Sequence, residues 1–253
     1  MLRRRLVRQI AAVVQKEFRE YLRVQKISFG LTVGYSVFMQ WFIVHSYAHA
    51  VKMAASLPES KAASMLADPE VFAAATAGTL MFIGPLVLPF FANSLLARSF
   101  MEERYKHVLA PMFSTGVNPG VVWLGKLIAA FTASYATMTL CVGLDLGLLT
   151  MYFGLSIALT PGLVLMALFV MPTACLGMVA LIAYLNWAWQ QATFVISFAM
   201  FLLMMGVFSF LSARPVLTIG PGFATILVVL SLLLVGACAF GVSLLSRQRI
   251  VNV

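Results

Sequence analysis

The chain has 253 residues, 62% of them hydrophobic and 10% charged, with a formal net charge of +9 and a mean hydropathy of +0.99. Soluble domains hold about 45–50% apolar residues, so this composition excludes a water-soluble globular fold and indicates an integral membrane protein. The basic balance does not indicate nucleic acid: the cations sit beside apolar runs, where anionic lipid headgroups account for them.

A helical span needs about 20 apolar residues, which leaves room for six. The runs are too long and too uniformly apolar for the alternation of barrel strands. The expected fold is an all-α membrane protein with an N-terminal amphipathic helix, six transmembrane helices and a short cytoplasmic helix between spans 2 and 3.

Residues 1–26 form the amphipathic helix. Leu6, Ile10, Val13, Val14, Phe18, Tyr21 and Leu22 recur at helical spacing, with Arg5, Arg8, Lys16, Arg19, Glu20 and Arg23 mostly opposite. Such a helix lies in the interface with its cations toward headgroups, and Phe18, Arg19, Tyr21 and Arg23 are its candidate functional residues. A basic topology anchor with no further role is the plainer reading. The Met-Leu-Arg-Arg-Arg start leads into no signal-peptide core.

The membrane domain covers 27–245. Span 1 is expected over 27–45, followed by a polar outer loop, 49–73. Span 2 covers 74–97, where Pro85 and Pro89 should kink the helix. A cytoplasmic loop, 99–120, comes next, then span 3 over 121–140 with apolar character continuing to Tyr152. Span 4 takes 161–185 and contains Pro172; a turn through Asn186, Trp187 and Trp189 leads to span 5, 192–210. Span 6 covers 223–245, and 246–253 form a cytoplasmic tail. Fourteen Lys and Arg fall on the side of the two ends and the 99–120 loop, against three on the other side. The positive-inside rule makes the chain multi-pass in the plasma membrane with both termini cytoplasmic.

Cys141, Cys175 and Cys238 lie in apolar runs without metal-ligand spacing and read as small packing residues. Gly30 with Gly34, Gly143 with Gly147, and Ala237 with Gly241 are small-xxx-small pairs that suit packing inside the bundle or a dimer seam. The chain has no GxxxxGK[ST] loop, since Gly120 to Lys126 has the wrong spacing. No catalytic motif and no metal site stand out. Asp145 is the one acid well inside the later apolar region, either an ion or proton site or a hydrated helix end. Asn93, Asn186, Gln190 and Gln191 are the polar residues suited to a translocation path or its cytoplasmic mouth, although the abundance of Met and Phe is more often simple packing.

The loop stands apart. Glu102, Glu103, Arg104, Lys106 and His107 open it, Val108, Leu109, Met112 and Phe113 make one apolar helical face, and Thr115, Gly116, Asn118, Pro119 and Gly120 supply a turn. An exposed apolar face implies a partner, whereas the plain alternative is a loop packed on its own bundle.

This segment resembles the cytoplasmic loop of ABC transporter permeases of the exporter-like ABC-2 type. Glu103 and Arg104 match the family's opening pair, Leu109 its leucine, Met112 and Phe113 its apolar pair, Thr115 its threonine, and Gly125 and Lys126 its closing Gly-Lys, with every interval kept. Tyr105, His107, Val108, Ala110 and Gly116 depart from it. The resemblance extends to the whole plan of basic N-terminal helix, six spans and long first outer loop. It implies a permease subunit of an ATP-driven exporter, with this loop as a coupling helix seated on a separate ABC ATPase subunit that binds ATP and Mg. It also implies a second permease protomer, identical or homologous. This chain would then hold no cofactor and be no enzyme, and its cargo would be hydrophobic or amphipathic. The competing expectation is an ATP-independent membrane protein, either an ion-coupled carrier using Asp145 or an assembly subunit.

Overall fold

The computed structural model describes residues 2–55, 69–106, 117–153, 164–189, 195–196, 198–199, 202 and 221–244. Among the described residues the chain is all-helical: α1 (Leu2–Val24), α2 (Lys26–Ala55), α3 (Pro69–Tyr105), α4 (Pro119–Phe153), α5 (Met171–Ala188) and α6 (Pro221–Leu244), with a π-helical turn, Met166–Val170, leading into α5. Three of these segments, Pro119–Leu148, Ala167–Ala188 and Thr225–Leu244, are long and apolar enough to cross a membrane. Most of span 5, the tail, and the loop residues Leu109, Met112, Phe113 and Thr115 lie outside the described residues, as do Gln190 and Gln191.

The helices overrun the loops expected from polarity. α2 continues to Ala55 and α3 starts at Pro69, so much of the outer loop is helical; Ala, Met and Lys are good helix formers even where they are too polar for lipid. α3 keeps helical geometry through Pro85 and Pro89 and carries Glu102, Glu103 and Arg104 in its final turns. α4 begins at Pro119 with Asn118 before it. The Asn118 Oδ1 accepts the Gly120 N–H at 2.9 Å, and its carbonyl accepts the Val121 N–H at 2.9 Å. This is the Asn-cap, Pro-first pattern of a helix start.

Pro172 explains the π turn. It has no N–H to donate to the carbonyl four residues back, which is that of Leu168, and the Tyr135 hydroxyl of α4 donates to that carbonyl at 2.9 Å instead. Farther along α5 the Ser231 hydroxyl of α6 enters a helical rung. It donates to the Thr173 carbonyl at 2.8 Å and accepts the Gly177 N–H at 2.7 Å. A Cβ on Gly177 would lie 2.8 Å from the Ser231 Cα, so only glycine permits this approach.

The core runs through α3, α4 and α5, with Leu88, Leu95, Leu96, Trp123, Met138, Val179 and Trp187 fully or almost fully buried. The three cysteines are buried and form no disulfide. Leu230, Leu233, Phe240 and Leu244 leave the outer face of α6 exposed and apolar, a surface that suits lipid. Of the small-residue pairs, Gly241 abuts Tyr184, whereas Gly30, Gly34, Gly143 and Gly147 have nothing near a built Cβ.

Candidate functional site

α1 packs along the start of α4 with a stripe that differs from the apolar periodicity. Leu6 and Leu22, which fit the apolar repeat, are 46% and 70% exposed and lie outside the stripe that packs on α4. The packed stripe is Ile10, Val13, Val14, Glu17, Phe18 and Tyr21, with Glu17 and Tyr21 buried and the others half-buried, while Arg5, Arg8, Arg19 and Arg23 are exposed. The helices meet at Gly125: a Cβ there would sit 2.6 Å from the Val13 Cγ1. That close approach brings the next residue, Lys126, against Glu17.

Lys126 and Glu17 are both fully buried. The ammonium lies 2.7 Å from the Glu17 Oε1 and 3.1 Å from the Glu103 Oε1, and it also donates to the Ser99 hydroxyl. Its three donors are thereby used. Ser99 donates onward to the Glu17 Oε2 at 2.7 Å. Lys16, half-exposed at the edge of the cluster, donates to the Glu103 Oε1 at 2.6 Å. The Phe100 ring centroid stands 5.1 Å from the Lys126 ammonium, within cation–π range. Two cations and two carboxylates balance, so the cluster withdraws from water without net charge. A buried charge is tolerated only with such pairing.

Burial alone would raise the Glu103 carboxyl, but Lys126 and Lys16 outweigh it and hold Glu103 below the usual carboxylate range. Lys16 shows the converse: its partial burial would lower it, and the charge and hydrogen bond of Glu103 raise it. Glu103 therefore contributes stability that is present above the unfolded carboxylate value, about 4.3, and lost as pH falls through its lower folded value. The Lys16 contribution is present below about 10.4 and lost as pH rises through its higher folded value. The detergent-solubilised chain should hold its melting midpoint between about pH 5 and 10 and lose part of it below about pH 4. In Glu103→Gln the midpoint should be lower at pH 7 and converge with the wild type in acid. An unchanged difference between the two chains from pH 7 to 3 would count against this account.

Glu102, on the outer side of the same turn, pairs with Arg98 at 3.0 Å and Lys106 at 3.5 Å. These are exposed i,i+4 pairs worth about 0.3–0.5 kcal/mol. Hydrogen bonding from Arg98 and the nearby charge of Lys106 lower its carboxyl despite a small opposing effect of burial. Arg104 reaches α5, where its Nη2 donates to the carbonyls of Asn186 at 3.0 Å and Trp187 at 2.8 Å. Those residues, expected in a turn, are the last turn of α5, and the guanidinium supplies donors that its terminal carbonyls lack. Trp187 packs edge-on against Phe100, centroids 5.2 Å apart. Glu103 and Arg104 thus fasten the end of α3 to α1 and α4 on one side and to α5 on the other.

Of the expected path residues, Asn93 and Asp145 do not join this cluster. Asn93 is buried on α3, ten residues or about 15 Å of helix before Glu103. Asp145 is buried on α4, about 28 Å of helix beyond Lys126. Its Oδ2 accepts a long hydrogen bond from Ser36 at 3.4 Å, and its Oδ1 has no hydrogen-bond partner. Glu17 and Ser99 were missed in the sequence. The signal for Glu17 was its spacing, four residues after Val13 and four before Tyr21, on the apolar stripe. An acid in that position requires a cation, and Lys126 is the one cation in α4.

No family model matches the chain, and no curated protein and no solved structure matches it.

Proposed function

We propose that this chain is the permease subunit of an ATP-driven exporter of the ABC-2 type. It would span the plasma membrane six times with both termini cytoplasmic, and form the translocation path as a dimer. The segment between α3 and α4 would dock on a separate ATPase subunit that binds ATP and Mg. α1 would lie in the membrane interface with its arginines toward headgroups.

The observation that carries this reading is the buried cluster of Lys16, Glu17, Ser99, Glu103 and Lys126. It ties both ends of the 106–118 segment, the last turns of α3 and the second turn of α4, to a single helix, α1. A push on the segment then moves α1, α3 and α4 as one body, and through Arg104 reaches α5. A loop with no partner needs no such bracing. The fully paired charges give a defined geometry, which is what an ionic cluster contributes more reliably than affinity.

The test is affinity purification of the tagged chain in mild detergent, with mass spectrometry and an ATPase assay, with and without Met112→Asp and Phe113→Asp. A stoichiometric ATPase is expected with the wild type and should be lost, with its activity, in the double variant, because two carboxylates would have to be desolvated at the contact. Equal recovery and equal activity with both chains would remove the coupling assignment.

A second reading rests on Asp145. A buried carboxyl with an unpartnered oxygen on a membrane-length helix is a functional candidate by default. It would fit an ion-coupled carrier that needs no ATPase. Transport that follows the proton gradient, survives ATP depletion and fails in Asp145→Asn would decide for it.

A further inference from the structure

A groove of about 290 Å³ opens beside the ionic cluster, where the end of α1 and the start of α2 meet α3 and α4. That volume is at the lower edge of ligand pockets, roughly 300 Å³. Its walls are almost wholly apolar: Phe18 from α1, Phe29 from α2, Phe91 and Leu95 from α3, and Ala133 from α4. Leu22 and Phe29 at its margin are exposed, so it opens sideways onto apolar surface rather than into the bundle. An alkyl chain suits such walls, and a polar solute does not.

Four polar side chains line it, Tyr21, Gln25, Lys26 and Thr137, the last donating to the Ala133 carbonyl at 2.9 Å. Tyr21 lines the groove; its buried hydroxyl faces the Glu17 carboxylate without a well-formed hydrogen bond to it, and a buried hydroxyl ordinarily has one. Burial, and then the carboxylates of Glu17, Glu103 and Glu20, push the Tyr21 phenol well above its usual range, so it stays protonated and able to donate, and the phosphate must be held by Lys26 against those acids. Lys26 lies on the rim, is exposed and forms no ion pair among the described residues. It also begins α2, which adds the positive end of that helix dipole. Cation and donor at one end of an apolar trough match an anion joined to a hydrocarbon chain.

We infer that this groove binds one anionic glycerophospholipid, its acyl chain against Phe29, Phe91 and Leu95, its phosphate at Lys26 and an oxygen accepting from the Tyr21 hydroxyl. The inference rests on the membrane-length helices and not on the exporter reading. It also fits the position of the break between α1 and α2, where the chain turns from a strongly basic helix into an apolar one. The lipid would fill the gap that this junction leaves open, and it would do so next to Tyr21, one helical turn from Glu17.

Native mass spectrometry of the full chain, delipidated and then titrated with phosphatidylglycerol or phosphatidylcholine of the same acyl chains, tests this. One tightly held phosphatidylglycerol is expected. Lys26→Gln should weaken it about fivefold and leave phosphatidylcholine unchanged. Ala133→Phe, which fills the groove without altering charge, should weaken both lipids. Arg8→Gln, on the exposed face of α1, should weaken neither. If Lys26→Gln and Arg8→Gln reduce phosphatidylglycerol binding equally, attraction is to the basic surface at large and the site is overturned. It is equally overturned if Lys26→Gln has no effect, or if the groove is covered by a second copy of the chain, seen as a lipid-free dimer that Ala133→Phe dissociates.

Discussion

Lys126→Met is expected to lower stability by about 3–5 kcal/mol, the range for breaking a buried ion pair from one side. The substitution keeps the chain length and apolar bulk of the lysine stem, so the loss isolates the charge. It takes from Glu17, which has no exposure, its close cation at 2.7 Å and leaves it Ser99 at 2.7 Å with Lys16 farther off at 3.9 Å. Glu103 suffers less, because Lys16 still holds it at 2.6 Å. Adding Glu17→Gln to Lys126→Met should therefore recover most of the loss, since an uncharged pair of similar shape needs no counter-ion. The reverse single variant, Glu17→Gln alone, should be nearly as damaging as Lys126→Met. Melting midpoints of the four chains in one detergent, assembled as a double-mutant cycle, give the coupling directly. If Lys126→Met unfolds within about 1 kcal/mol of the wild type, the cluster is not what holds α1 in place.

Gly125→Val should dislodge α1 without touching any charge. A Cβ at Gly125 would lie 2.6 Å from the Val13 Cγ1 and 2.8 Å from its Cβ. The latter atom is fixed to its helix, so a rotamer change cannot relieve the clash and the helices must separate. Overpacking of this kind costs about 1–3 kcal/mol. Separation also draws Glu17 from Lys126, adding part of the ionic loss. Limited trypsinolysis reads this out, because α1 carries Arg5, Arg8, Lys16, Arg19 and Arg23: cleavage within α1 should become markedly faster in Gly125→Val. Gly143→Ala is the control on the same helix, with nothing within 4 Å of the added carbon, and should cleave as the wild type does. Val13→Gly combined with Gly125→Ala should restore protection, since it removes both the Cγ1 and the Cβ that lie within 3 Å and leaves only the Ile10 carbonyl at 3.6 Å. Protection unchanged in Gly125→Val would mean that α1 does not depend on this contact.

How these residues came to be legible, or not, follows from the range of the forces involved. Glu103, Arg104, Gly125 and Lys126 were singled out by the spacing of a loop motif, and all four take part in anchoring the ends of α3 and α4. Their roles are not those of a loop. Polarity marks where a chain leaves lipid, but a helix ends only where its hydrogen-bond ladder is capped. α3 therefore runs on to Tyr105 and α5 to Ala188, the latter with Arg104 donating to its last turn. The same reasoning explains why the outer loop shrank from both sides. Leu22 fits the apolar repeat of α1 and is 70% exposed, because α4 meets a different stripe.

Composition and the length of the apolar runs were sufficient for an all-helical membrane protein, since hydrocarbon admits only segments that satisfy their own backbone. These are sums over many residues and survive local error. The ion pairing of Glu17 with Lys126, 109 positions away, has no counterpart in any local pattern. It exists because Gly125 lets two helices touch at Val13, and because Ser99 and Glu103 arrive there from a third. Nor does any periodicity announce the groove at Tyr21 and Lys26, which is space left between four helices rather than a property of one. Burial and charge balance within a few ångströms are decided by packing, and packing depends on which faces meet.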